Sequence, residues 1–186
     1  MIEGLDAKRH AHNSGTARIL GASMVRVIDL LDGLGVPYMV TGSIAASYDG
    51  RPRATHDADV VIDPSPARLD ELIEALDAAG FYVSAESARD ALRQRRPFDV
   101  IETARAVKID LIIKKARPFS LEEFGRRRLV DLPFTSGVAT VTAEDAILSK
   151  LDWVRQAGDS ERQIRDAACI VELNPALDWA CIRRWA

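Results

Sequence analysis

The chain has 186 residues, 47% of them hydrophobic, which suits a single domain able to bury a core without disulfide or metal staples. Its 25 basic and 28 acidic residues leave a formal charge of −3, so no global field draws it to nucleic acid or an anionic membrane. Cys169 and Cys181 lack any CxxC or Cys/His spacing, which argues against a zinc site or a disulfide framework. Reduced thiols, no apolar run of membrane-spanning length and no signal-peptide pattern lead to the expectation of a cytoplasmic protein with no membrane contact.

Residues 1–15 are polar and read as a loosely ordered lead-in. Over residues 16–34, Leu20, Met24, Val27, Ile28, Leu31 and Leu34 recur at helical spacing before Gly35. Residues 37–41 are long enough only for a short buried strand. A small-residue helix is expected to open at Ser43, with a loop following to His56. Residues 57–63 read as a strand stopped by Pro64. Ser65 and Pro66 start a helix with Leu69, Leu72, Ile73 and Leu76 inward, and Gly80 ends it. A strand is expected over 81–84, and the basic segment 85–96 is ambiguous. Strands over 98–102 and 106–113 form a hairpin. Beyond lie a short helical turn at 120–124, an irregular stretch over 126–138 around Pro133, and helices over 142–154, 160–173 and 176–185. The class is therefore α/β, with a sheet-forming core over 16–118 and a helical C-terminal part over 119–186 packed on it.

The chemistry concentrates in residues 38–63. Side chains alternate along a strand, so Asp57 and Asp59 share one face, roughly 7 Å apart. In the later strand Ile109, Leu111 and Ile113 share a face and Asp110 points the other way. If the two strands are neighbours, three carboxylates converge. Two such charges about 4 Å apart repel by roughly 4 kcal/mol at an effective dielectric of about 20, so a proton or a cation must sit among them. Magnesium, which prefers one or two carboxylates plus substrate phosphates, suits the set, and a pair of ions can hold both oxygens of a phosphoryl or nucleotidyl transfer. The plainer alternative is an exposed strand end with Asp59 paired to Arg53. Gly42-Ser43 adds a glycine that lets backbone approach a ligand and a helix start suited to phosphate.

Val40-Thr41-Gly42-Ser43, followed by Arg53-Ala54-Thr55-His56-Asp57-Ala58-Asp59, resembles the signature of the DNA polymerase β-like nucleotidyltransferase superfamily. Within it, the pattern is similar to abortive-infection and minimal bacterial nucleotidyltransferases, many from toxin–antitoxin loci. Glu144-Asp145 through Lys150-Leu151 resembles a helical segment of that group, and Arg162 to Asp166 its following RxxxD segment. The resemblance implies a nucleotidyltransferase-type mixed sheet flanked by helices. It implies that Gly42 and Ser43 hold the triphosphate, that Asp57, Asp59 and Asp110 ligate magnesium (two ions), and that Asp110 helps deprotonate an acceptor hydroxyl. Lys150 would reach a nucleotide phosphate with Asp166 beside it, while Arg53 and Thr55 would brace the loop. The residues also allow Lys150 to be a surface lysine and Asp166 to pair with Arg162.

The function expected is magnesium-dependent transfer of a nucleoside monophosphate from an NTP to a hydroxyl of tRNA, a protein or a small molecule. The alternative is a non-catalytic binding or antitoxin-like module on the same scaffold, with a cognate toxin or antitoxin as partner. Positive charge concentrates over residues 89–128, ending in Arg126-Arg127-Arg128; it is either a solvated face or a polyanion-binding rim. His56 is expected to face away from the carboxylates, and Trp153, Trp179 and Trp185 read as helix-packing anchors in preference to a base-stacking platform.

Overall fold

The computed structural model describes residues 3–50, 55, 57–157 and 160–186. In chain order the elements are α1 (Glu3–Gly33), β1 (Tyr38–Thr41), α2 (Gly42–Asp49), β2 (Asp57–Ile62), α3 (Pro66–Ala78), β3 (Phe81–Tyr82), α4 (Ala85–Gln94), β4 (Pro97–Glu102), β5 (Val107–Ile113), α5 (Pro118–Gly125), β6 (Arg128–Leu132), β7 (Thr135–Thr140), α6 (Ala143–Ala157), α7 (Glu161–Leu173) and α8 (Trp179–Trp185).

The described strands form one sheet in the order β3-β4-β5-β2-β1-β7-β6. β2 and β5 run parallel at its centre, β1 and β7 are also parallel, and the remaining neighbours are antiparallel. Strand alternation divides the core in two. Val40, Ala58, Val60, Ile62, Ile109, Leu111 and Ile113 face one side, where α1, α3 and α4 cover them. Met39 and Val61 face the other, with α2, α6, α7 and α8. That second helical layer reaches the sheet through α2, which packs on β1 and β2, and the strand residues Asp57, Asp59 and Asp110 are on its side of the sheet.

Local chemistry explains the helix starts. Ser65 accepts a hydrogen bond from the Arg68 amide at 3.3 Å, with Pro66 in the first turn. Leu69, Leu72 and Leu76 of that helix are fully buried, each contributing roughly 1.5–3 kcal/mol relative to exposure. Ser84 does the same for α4, accepting from Ser87 at 3.2 Å, so the ambiguous segment 85–96 is a helix. The helical backbone of α1 starts at Glu3 rather than at the expected Thr16.

Two expectations need correction. Residues 126–138 are not irregular. They supply β6 and most of β7, an antiparallel pair at the sheet edge. Val130 and Leu132 are buried on alternate positions, and Pro133 falls in the turn, where it interrupts no ladder. Because β7 pairs with β1, one sheet spans both sides of the division drawn at 118/119. The tryptophans differ among themselves: Trp185 packs edge-on against Phe119 with ring centroids 5.5 Å apart, whereas Trp153 and Trp179 are 58% and 46% exposed. Trp153 and Trp179 are therefore not packing anchors.

Candidate active site

The turn from β1 into α2 is built on Gly42, whose φ is +66°, a conformation that costs a residue with a Cβ about 1–2 kcal/mol. Space is short as well: a Cβ there would stand 2.7 Å from Asp59 Cγ and overlap its Oδ2. Asp59 lies beside the turn because β1 and β2 pair Thr41 with Asp59. α2 opens at Gly42, one residue earlier than expected, with Thr41 in the cap position and no side-chain cap bond. Ser43 is thus inside the first turn and not the cap. The first-turn amides of a helix have no intrahelical acceptor.

The β2–β5 register opposes Asp57 to Lys108 and Asp59 to Asp110, and β4 opposes Asp99 to Asp110. All five side chains therefore lie on one face. Lys108 Nζ is 2.8 Å from Asp110 and 3.5 Å from Asp99. Burial, then the charges of Asp110 and Asp57, push the Asp59 carboxyl up, against the pull of Lys108 and Lys150. Asp110 is also raised, by burial first, with the Lys108 hydrogen bond opposing it and Asp99 adding to it.

Asp57, Asp59 and Asp110 face a cavity of about 580 Å³, a size that holds a small-molecule ligand. Gly42, Ser43, Thr55, Asp57, Asp59, Asp110 and Lys150 all line it. Thr55 Oγ1 donates to the Asp57 carbonyl at 3.1 Å and accepts from its amide at 3.4 Å, which ties the loop end to the first carboxylate. Arg53 and His56 lie outside the described residues.

Across the cavity, α6 and α7 hold Lys150. It is a buried lysine, 7% exposed, and not a surface one; its Nζ sits 3.0 Å from Asp166 and 3.1 Å from Gln163. Asp166 thus pairs with Lys150, and it acts on the cavity through that lysine, not as a lining residue. Among the described residues two of the three ammonium donors are engaged, which leaves one.

Among the described residues, no group of three or more His, Cys, Asp or Glu side chains is drawn together tightly enough to hold a metal ion. The donor set is nonetheless oxygen-only, and Asp57 and Asp59 suit magnesium, which takes one or two carboxylates and completes its shell with water and phosphate. Asp110 joins that set only by releasing Lys108.

Several cavity residues were not anticipated. Glu123, on α5, is 8% exposed, accepts from Ser149 at 2.9 Å, and is pushed up to about 7 mainly by burial. Asp152 is lowered to about 2 by Arg155 first and by Arg117 and Gln156. Trp153 also lines the cavity; its sequence signal was its position three residues after Lys150 on the same helix.

The basic segment 89–128 is largely paired with acids. Arg89 meets Asp70, Arg93 meets Asp90, Arg105 meets Glu102, Lys114 meets Asp63, Arg117 meets Asp152, and Arg128 meets Asp49. Arg126 binds the fully buried Asp145 through both Nε and Nη2, at 3.1 and 2.6 Å.

Solved structures match the fold over most of their length. A crystal structure of ANT(2'')-Ia in complex with adenylyl-2''-tobramycin aligns with a TM-score of 0.55 at 14% identity, over 82% of this chain and 87% of that one. The lincosamide antibiotic adenylyltransferase LnuA, lincomycin-bound, aligns with a TM-score of 0.55 at 11% identity, over 81% and 95%. An antigenic nucleotidyltransferase-like protein from Paracoccidioides brasiliensis aligns with a TM-score of 0.55 at 16% identity, over 83% and 76%. The chain has the nucleotidyltransferase fold. At these identities the likeness is one of architecture alone. No protein-family model and no curated protein matches the sequence. Among the described residues, no helix is long and apolar enough to cross a membrane.

Proposed function

We propose that the protein is a magnesium-dependent nucleotidyltransferase that moves a nucleoside monophosphate from an NTP to a hydroxyl of a small molecule. The observation that carries this reading is the convergence of Asp57, Asp59 and Asp110 with the Gly42–Ser43 helix start and Lys150 on one cavity. First-turn amides of α2 donate to triphosphate oxygens, and the positive helix end favours them. The remaining Lys150 donor takes a phosphate oxygen from the opposite wall. Asp57 and Asp59 would hold magnesium, and the chemistry it would supply there is neutralisation of triphosphate and pyrophosphate charge. Thr55 braces the approach to the carboxylates through its two bonds to the Asp57 backbone.

In the transfer the acceptor oxygen bonds to the α-phosphorus, the α–β anhydride bond breaks, and pyrophosphate leaves with the bonding pair. The acceptor proton passes to Asp110. Its raised pKa makes it a better base than an ordinary carboxylate. Positioning and charge stabilisation supply most of the acceleration.

Ion pairing along the segment 89–128 favours a small acceptor over tRNA, since RNA binding depends on lysines and arginines free to meet phosphates. The names of two structural neighbours point the same way: LnuA is a lincosamide adenylyltransferase and ANT(2'')-Ia was crystallised with adenylyl-tobramycin. The test is calorimetry with magnesium and each NTP, then incubation of α-labelled NTP with panels of hydroxylated small molecules and with tRNA. Label transferred to a small molecule with release of pyrophosphate is expected. One observation favours a second reading, a non-catalytic nucleotidyltransferase-fold module: the Lys108 ammonium already neutralises Asp110. Absence of magnesium-dependent NTP binding in both the wild type and Lys108→Ala would select it.

A further inference from the structure

Trp153 combines properties that packing does not explain. It is 58% exposed, belongs to neither hydrophobic cluster, and lines the cavity. Its turn of α6 is firmly held: Asp152, the preceding residue, accepts from Arg117 at 2.9 Å, from Arg155 at 2.7 Å and from Gln156 at 2.7 Å. Lys150 lies three residues earlier. The two side chains are neighbours on the helix surface, separated by about 4.5 Å of helix rise. One helix thus carries into the cavity a buried ammonium and, three residues on, an open aromatic ring.

We propose that Trp153 is the platform on which the nucleobase of the bound NTP stacks while Lys150 holds its phosphates; the inference rests on the nucleotide-binding reading above. A nucleobase is the occupant that a lone indole beside a phosphate-binding lysine serves best, because every base presents a π-face to an aromatic ring. Gln156 and Gln163 also line the cavity; the Gln156 Oε1 and the Gln163 Nε2, the amide atoms not engaged with Asp152 and Lys150, can bond base edges without adding charge. Stacking of this kind tolerates all four bases, so Trp153 serves purine and pyrimidine nucleotides alike, purines more tightly because their faces are larger.

The experiment compares magnesium-NTP affinity in the wild type, Trp153→Ala and Trp153→Phe by calorimetry, with magnesium tripolyphosphate as the ligand that lacks a base. Trp153→Ala is expected to weaken each NTP by roughly 5- to 150-fold, Trp153→Phe to recover most of that loss, and tripolyphosphate to bind all three proteins equally. In a Trp179→Phe/Trp185→Phe background, where Trp153 is the remaining indole, its fluorescence is expected to be quenched by ATP but not by tripolyphosphate. NTP affinity unchanged in Trp153→Ala overturns the proposal, even if an acceptor then binds more weakly. An equal loss for tripolyphosphate and NTP also overturns it, since the effect would then be on the phosphate end. If the wild type binds tripolyphosphate and no NTP, the platform fails while the phosphate site stands; if it binds neither, the nucleotide reading itself fails.

Discussion

At Gly42 two requirements meet in one residue: a left-handed backbone and room for the Asp59 carboxylate. Gly42→Ala is expected to lower stability by at least the conformational cost of about 1–2 kcal/mol, a fall in Tm of a few degrees or more, and to abolish magnesium-NTP binding; thermal melts and calorimetry read the two separately. At Asp110 the question is base or ligand. Asp110→Asn removes the proton acceptor and is expected to slow transfer by about 10²- to 10⁴-fold while leaving NTP affinity within a few-fold of the wild type. A matching collapse of NTP affinity would make it a metal ligand first. Glu123 gives a pH signature. Its folded pKa of about 7 exceeds the 4.5 of an ordinary glutamic acid, chiefly through burial. The folded state therefore holds its proton more tightly than the unfolded chain does. That contribution is complete below about pH 4.5 and is lost as pH rises through about 7. The amount is on the order of 3 kcal/mol. Melting Glu123→Gln beside the wild type across this range is expected to show the variant gaining on the wild type as pH rises; a constant difference would refute it.

The α6–α7 pair shows how one sequence segment divides its labour. Of the Glu-Asp pair that begins α6, Glu144 accepts from the Asp178 amide at 3.0 Å and so anchors the start of α8. Asp145 is buried against Arg126 and Thr142, and accepts from Arg126 on both oxygens. Both acids are structural, and Lys150, less than two turns on, is the residue that reaches the cavity. Asp145→Ala is expected to cost about 3–5 kcal/mol, because it leaves a guanidinium with its buried partner gone. Asp166→Ala, by contrast, frees Lys150 from its counter-ion while Gln163 still holds it; the expected sign is weaker NTP binding from a misplaced ammonium, read by calorimetry. The elements with their own periodicity or caps, α3 above all, were legible in the sequence. The β6–β7 pair was not. Its two strands are short, Pro133 resembles a breaker, and the apolar alternation of Val130 and Leu132 gains meaning only once β7 lies against β1.

Across the whole molecule, charge that looks like a basic stripe in one dimension is mostly cancelled in three. Acids from α3, α6 and the β2 end answer the arginines and lysines of residues 89–128. Any binding of tRNA is therefore expected to be weak, with a shallow dependence on salt; titration from low to moderate ionic strength checks this, and a steep slope of several released counter-ions would restore the RNA acceptor. The sequence by itself determined the strands that carry Asp57, Asp59 and Asp110 and the face each carboxylate takes, because period-two alternation is a local property of the chain. It likewise determined that a glycine turn stands just before a helix. Only the tertiary structure decided that β2 and β5 are neighbours in the register that opposes Asp59 to Asp110, that Lys108 sits on Asp110, and that Lys150 arrives from the far wall with Trp153 open beside it. Those depend on which segments, far apart in the chain, bury one another's apolar faces, and no local pattern encodes that choice.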